Sequence, residues 1–205
     1  MPVVEVEIKH IKDINGNTMK KINNKHRFPK LLVLGNMRHG KDTFGEILRD
    51  HMSLSFQSSS QAAADIFIYD ELKGRYGYET PEECFEDRIN HRAEWFDLIT
   101  AYNSEDRSRL AKSILEINDC YIGMRNRKEV EGCIAEGIFD LIVWVDASER
   151  LPLEDSDSFD IDKSCADFIV ENNGTLEEFT NKVLRIGKLL KYKKIPEVIP
   201  MSVGG

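Results

Sequence analysis

The sequence predicts an α/β fold: a five-stranded parallel sheet between layers of helices, with a β-hairpin added ahead of it. Three observations carry the prediction. Runs such as "LLVLG" and "LIVWV" are apolar without interruption and only strand-length, the pattern of strands buried on both faces of a parallel sheet. These runs alternate along the chain with helical periodicity, which places helices on both faces of that sheet. The first run ends in a glycine, and a second glycine and a lysine follow before a helix begins, so strand, tight turn and helix succeed one another directly.

At the amino end "VVEVEIKHI" alternates apolar and polar residues, "NGN" supplies a turn and "TMKKI" follows, which is a hairpin signal over residues 1–29. Residues 30–205 form the main domain. "KLLVLG" is its first strand, and "KDTFGEILRDHM" is a helix with Phe44, Ile47, Leu48 and Met52 on one side. "LSFQSSS" reads as a short strand and "QAAADIFIYDELK" as a helix, after which "GRYGYETP" breaks the pattern. Thr80, with Pro81 next and Glu83 three residues on, starts a helix predicted to run through "EECFEDRINHRAEWFDLITAYN". "SEDRSRLAKSILEIN" starts another at its first serine, so residues 61–118 are largely helical. "CYIGMR" is a strand, "NRKEVEGCIAEG" a helix, and "FDLIVWVDASER" a strand entering an acidic loop over residues 147–165. "ADFIVENNG" is the fifth strand, and "TLEEFTNKVLRIGKLLKYKK" closes the chain as a helix with cations toward its end.

Of the 205 residues 41% are apolar and 31% charged, the balance of a globular protein. No apolar run approaches the roughly 20 residues that span a bilayer, and the amino end lacks the apolar block of a signal peptide. Cys84, Cys120, Cys133 and Cys165 are scattered without a C-x-x-C pair, so thiols in a reducing, cytoplasmic compartment are expected. The net charge is −8, but residues 1–30 carry seven Lys or Arg against three acids, +4, which leaves −12 for the rest. An acidic body argues against broad nucleic-acid binding, which needs cations ranged along phosphates. The basic amino end reads as a solvated hairpin face, or as a contact for an anionic partner.

The stretch Gly35–Thr43, "GNMRHGKDT", approximates the phosphate-binding loop G-x-x-x-x-G-K-[ST], with Asp42 in the hydroxyl position. Gly35 and Gly40 permit backbone angles that turn consecutive amides inward on an anion, and the following helix start adds unpaired amides. Lys41 is placed to bridge the outer phosphates of a nucleotide and to follow the charge as it moves. The stretch resembles the variant loop ending G-K-D-T of phage deoxynucleoside monophosphate kinases, and phosphomevalonate kinases show a similar Lys-Asp change. The resemblance implies the three-layer P-loop NTPase fold and an ATP phosphate site made of Gly35, Arg38, His39, Gly40, Lys41, Asp42 and Thr43. It also implies Mg2+ held by Asp42 and Thr43, which suits an ion that takes oxygen ligands of either kind.

In "ECFEDRINHRAEWF" Arg88 and Arg92 are four apart, and Trp95 follows three later. On one helix they would clamp an acceptor phosphate and brace a base or sugar with a ring; the plainer reading is surface ion pairs and a core tryptophan. With "YGYETPEECFEDR" this run looks like the phage monophosphate kinases, a resemblance that spans most of residues 31–180. Arg125 ends the strand "CYIGMR" at the carboxyl edge, where ligands of open α/β sheets bind, and Arg127 follows. Related kinases show a comparable G-x-R, then a short turn and an acid-bearing helix. Their lid corresponds to residues 147–165, but here only Arg150 and Lys163 are cationic, so Arg150 is its candidate residue. Asn173 and Gly174 resemble a turn that edges the donor adenine, and equally suit a helix cap.

Together these readings predict transfer of the γ-phosphoryl group of ATP to a nucleoside or deoxynucleoside monophosphate. Lys41 with Arg125 or Arg150 would meet the transferring group, and Arg88, Arg92 and Trp95 would hold the acceptor. Two other readings stand beside it. One is a different small-molecule kinase, of phosphomevalonate or dephospho-coenzyme A type. The other is a non-catalytic ATP-binding module associated with nucleic acid, which would bind ATP without acceptor-dependent turnover and lose DNA affinity steeply with salt. A phage protein of this kind would act in the host cytoplasm. The hairpin suits a homodimer contact across a two-fold axis as well as cover for an edge of its own sheet.

Overall fold

The computed structural model describes residues 7–12, 18–23, 29–152 and 159–192. Strands β1 (Glu7–Lys12) and β2 (Thr18–Asn23) pair antiparallel as a sheet of their own, Glu7 opposite Asn23 and Lys12 opposite Thr18. The expected turn Asn15–Asn17 lies outside the described residues.

Five further strands form one parallel sheet. They are β3 (Leu31–Leu34), β4 (Phe56–Ser58), β5 (Cys120–Ile122), β6 (Leu141–Asp146) and β7 (Phe168–Glu171), in the spatial order β4, β5, β3, β6, β7. The central strand aligns Leu31 with Cys120 on one side and with Leu141 on the other. All four residues of β3 are fully buried, because helices cover both faces.

The period of two along each strand divides the core. Leu31, Val33, Cys120, Ile122, Val143 and Val145 face α1 (Lys41–Met52) and α8 (Leu176–Tyr192), which present Phe44, Leu48, Phe179 and Val183. Leu32, Leu34, Tyr121, Ile142 and Trp144 face the helices between β4 and β6. Each such side chain removed from water contributes about 1.5–3 kcal/mol, so the continuous apolar runs decide the fold.

The second helical layer is more broken than expected. It opens with α2 (Ser59–Ala63), a π-helical turn (Ala64–Ile68) and α3 (Tyr69–Tyr76). The predicted helix from Pro81 to Asn103 is two: α4 (Pro81–Asp87) and α5 (Arg92–Tyr102). The Asp87 carboxylate causes the break by accepting from Asn90 Nδ2 at 2.6 Å, Tyr78 Oη at 2.6 Å and pairing with His91 Nε2 at 3.0 Å. Those bonds hold a turn that competes with the helix. The next helix, α6 (Arg109–Leu115), begins five residues after Ser104, because Asp106 accepts from both the backbone and the hydroxyl of Ser108. After β5 comes α7 (Arg127–Ala135), capped by Asn126. All four cysteines are free thiols, and no described helix is long and apolar enough to cross a membrane.

Candidate active site

The residues that leave the carboxyl ends of β3, β4 and β5 converge. Gly35 follows β3 with φ of 140°, Arg38 has φ of 64° and Gly40 has φ of 100°, and α1 starts at Lys41. A Cβ on Gly35 would lie 2.4 Å from the Val145 carbonyl oxygen, and one on Gly40 would lie 2.4 Å from Asn172 Nδ2. Both positions favour glycine by angle, and Gly35 also requires it by contact, because the Val145 oxygen is backbone whereas the Asn172 amide is the end of a side chain. Arg38 holds a left-handed conformation without that freedom, the kind of local strain that collects at functional loops. Lys41 folds back across the loop and donates from Nζ to the Asn36 carbonyl at 2.7 Å.

A cavity of about 460 Å³ opens beside this loop, within the range of small-molecule sites. Gly35, Arg38, Lys41 and Asp42 line it, as do Arg88, Arg92, Trp95 and Arg125. The structure thus brings the loop, the arginine helix and the end of β5 to one space. Arg88 and Arg92 reach it from the end of α4 and the start of α5 rather than from one helix face. Arg88 donates to the Phe85 carbonyl at 2.7 Å and lies 3.7 Å from the Phe85 ring centre. Burial pushes its guanidinium pKa down, the Asp42 carboxylate pushes it up, and the Arg92 charge pushes it down again. These three charges therefore act on one another across the cavity. Arg92 also donates to Met37 Sδ of the loop at 3.3 Å, and Arg125 stands over the Phe159 ring at 5.7 Å.

Other expected residues lie elsewhere. His39 is fully buried, and its Nδ1 accepts from the Ala147 amide at 3.0 Å, so its ring ties the loop to the end of β6 and does not line the cavity. Thr43 is half-buried in the first turn of α1, also off the cavity wall. Arg150 donates from Nε to the Asn172 carbonyl at 2.6 Å. Asn172 in turn donates to the His39 carbonyl at 2.9 Å, so Arg150 is connected to the back of the loop and does not line the cavity beside Arg125. Asn173 accepts from the Glu149 amide at 3.3 Å, and the exposed Gly174 lies against Glu178. Arg127 is bound to Asp160 and Asp162, which fastens the described end of the acidic loop to α7.

The sequence reading did not single out Glu129. It is 3% exposed, lines the cavity, and its Oε1 has no hydrogen-bond partner. Burial raises its pKa to about 7, against a hydrogen bond from Asn103 and the positive charge of Arg107, which lower it. The signal was masked by helix chemistry. Asn126 followed by Glu129 has the spacing of a helix cap with an acid at the third position, which reads as local structure.

Strand, glycine loop with left-handed residues, and helix at the edge of a parallel sheet define the class: an α/β fold of the phosphate-loop type. Solved structures similar to this chain include shikimate kinase from Aquifex aeolicus vf5, at 17% identity and a TM-score of 0.38, over 79% of this chain and 99% of that one. Dephospho-CoA kinase from Campylobacter jejuni is similar at 12% identity and 0.44, over 79% and 97%. A gluconokinase from Sinorhizobium meliloti 1021 is similar at 13% and 0.41, over 83% and 100%. No protein-family model matches the chain, and no curated protein matches it.

Proposed function

We propose that this protein transfers the γ-phosphoryl group of ATP to a nucleoside or deoxynucleoside monophosphate. The observation that carries the reading is the single cavity bounded by a phosphate-type loop with Lys41 and, facing it, by Arg88 and Arg92. Two phosphate-binding elements at one cavity suit a reaction between two phosphate-bearing molecules. The loop holds the donor and the arginine pair the acceptor. No covalent intermediate is required, because a phosphate oxygen of the acceptor is already a nucleophile. The protein contributes position and charge: Lys41 neutralises donor oxygens, Arg125 approaches from the end of β5, and aromatic walls exclude water. Arg88 and Arg92 hold the acceptor phosphate in forked hydrogen bonds.

Asp42 exposes a carboxylate on the cavity wall one residue from Lys41, and the Thr43 hydroxyl is adjacent in sequence. The Asp42 carboxylate is the hard oxygen donor that fits Mg2+, which is commonly held by one or two protein oxygens and the phosphates themselves. Thr43, off that wall, would join it only through its neighbouring place at the start of α1. Such an ion, when bound, supplies charge neutralisation to the donor. Protein of the expected cytoplasmic kinase would be assayed for ADP release with ATP and Mg2+ against the common ribo- and deoxyribonucleoside monophosphates. Turnover should depend on the acceptor and yield the diphosphate. Lys41→Ala should lower it by about a thousandfold or more with the fold retained. Tight ATP binding without any acceptor-dependent ADP would refute the kinase reading and favour an ATP-binding module.

A further inference from the structure

Among the described residues only two buried side-chain polar atoms lack a hydrogen-bond partner: Trp95 Nε1 and Glu129 Oε1. They come from different helices, α5 and α7, yet both residues line the same cavity. A buried N–H or carboxylate oxygen left unpaired destabilises a fold by about 1–3 kcal/mol, so native structures rarely keep one without a use. Here a donor and an acceptor are both left unpaired on residues that line one space.

Resting on the monophosphate kinase reading, we infer that Glu129 and Trp95 are specificity-determining residues that read the base of the acceptor, and that the base they fit is guanine. The chemistry of the cavity supports this in three ways. Its two ends differ in charge. The charges that act on Arg88 are Asp42 and Arg92, whereas Glu129 feels Arg107 and Asp160. An anionic acceptor phosphate is drawn to the arginines and repelled by Glu129, so the end of the acceptor at Glu129 is uncharged and rich in donors. The lining also includes four aromatic side chains, Phe85, Trp95, Tyr121 and Phe159, which suits a planar ring. The free hydrogen-bonding capacity is also selective. Guanine offers two adjacent N–H donors, one for the unpaired Oε1 and one for a remaining lone pair of the oxygen that already accepts from Asn103, followed by a carbonyl that an indole N–H can reach. Adenine and cytosine set a ring-nitrogen lone pair beside their amino group, and thymine flanks its one donor with carbonyls. Each of those would face the carboxylate with a repulsive atom.

The test repeats the acceptor panel with wild type, Glu129→Gln and Trp95→Phe. Glu129→Gln keeps the shape of the side chain and removes its charge, whereas Trp95→Phe removes the unpaired N–H together with one ring of a buried side chain. Thermal stability is therefore measured for both, and kinetics are compared at a temperature where each is folded. Wild type should prefer GMP or dGMP over the other bases by about a hundredfold in kcat/KM. Each variant should reduce that preference by about tenfold or more, with the KM for ATP changed by less than about twofold. A pH profile separates base reading from mere packing. The titrating and charged groups around Glu129 are Arg107 ahead of α6, Asp160 of the acidic loop, Tyr121 of β5 and Cys133 of α7. Wild-type kcat/KM for the guanine acceptor should rise as pH passes about 7 and the carboxyl ionises, and Glu129→Gln should lack that limb. A wild-type preference for another base, or unaltered discrimination in both variants, would overturn the inference and leave the kinase reading intact. Absence of turnover with every monophosphate would overturn both.

Discussion

Gly35 sits where β3 stops, at φ of 140°, with the Val145 carbonyl oxygen 2.4 Å from where a Cβ would be. That oxygen belongs to β6, the neighbour of β3 in the sheet, and cannot yield as a flexible side chain does. Gly35→Ala therefore combines a left-handed backbone with a clash against a fixed strand. It should lose more than about 2 kcal/mol of stability, visible as a lower urea midpoint at an unchanged m-value. A midpoint equal to wild type would mean that the loop is not held against β6 as described. At this scale the sequence was informative wherever a residue type had one purpose. The glycines and Lys41 announced the loop, and they are where the spacing puts them. His39 was not legible, because a loop histidine beside a phosphate motif looks like a ligand, and only burial with an Ala147 contact shows it is a strut.

The three inner strands, β5, β3 and β6, are legible because burial on both faces writes itself as continuous apolar runs. The edge strands β4 and β7 are only partly buried and are marked instead by their short apolar-rich segments between turn residues. The helices were harder, since an acidic side chain can extend a helix or cap a turn and the sequence alone does not say which. Asp87 illustrates the difficulty. Its carboxylate, held below its usual pKa by hydrogen bonds from Tyr78 and Asn90 and by the nearby His91, stops α4 and sets the turn that delivers Arg88 and Arg92 from separate helices. Asp87→Ala should lower the urea midpoint and free that turn, because three hydrogen-bonding partners lose their acceptor. If Arg88 and Arg92 bind the acceptor, its KM should rise about tenfold while the KM for ATP stays near wild type. A parallel rise in both constants would show that the turn supports the whole site rather than its acceptor half. Glu129 escaped notice for the complementary reason. Its place in the first turn of α7 suits a cap, and what sets it apart is how β5, α5 and the residues ahead of α6 close over it.

Over the whole molecule, that closure makes stability depend on pH in a definite direction. The carboxyl of Glu129 titrates near 4.5 when the chain is unfolded and at about 7 in the folded protein, because burial disfavours its charge. Between those values the folded state binds more protons than the unfolded state, so unfolding becomes easier as pH rises. The contribution is fully present below about 4.5 and is lost through about 7. Asp106 and Asp162 act the opposite way. Hydrogen bonds from Lys112 and Ser108 in one case, and from Ser164 and Arg127 in the other, hold both at about 2, so their stabilisation disappears only in acid, outside this window. The difference between wild type and Glu129→Gln therefore isolates one group. The two should unfold alike near pH 4.5, and by pH 8 the variant should be more stable by up to about 3 kcal/mol. Urea midpoints measured from pH 4.5 to 8 would check this. Parallel curves across the range would mean that Glu129 is solvated and ionised in the folded protein, and the polar end of the cavity would lose its carboxylic acid. If a guanine nucleotide satisfies Oε1, saturating GMP should reverse the trend, because a bound donor favours the ionised form and lowers the folded pKa. Stabilisation by GMP should then grow from pH 5 to 8 in wild type and stay flat in the variant, linking the open hydrogen-bonding groups to the ligand that fills them.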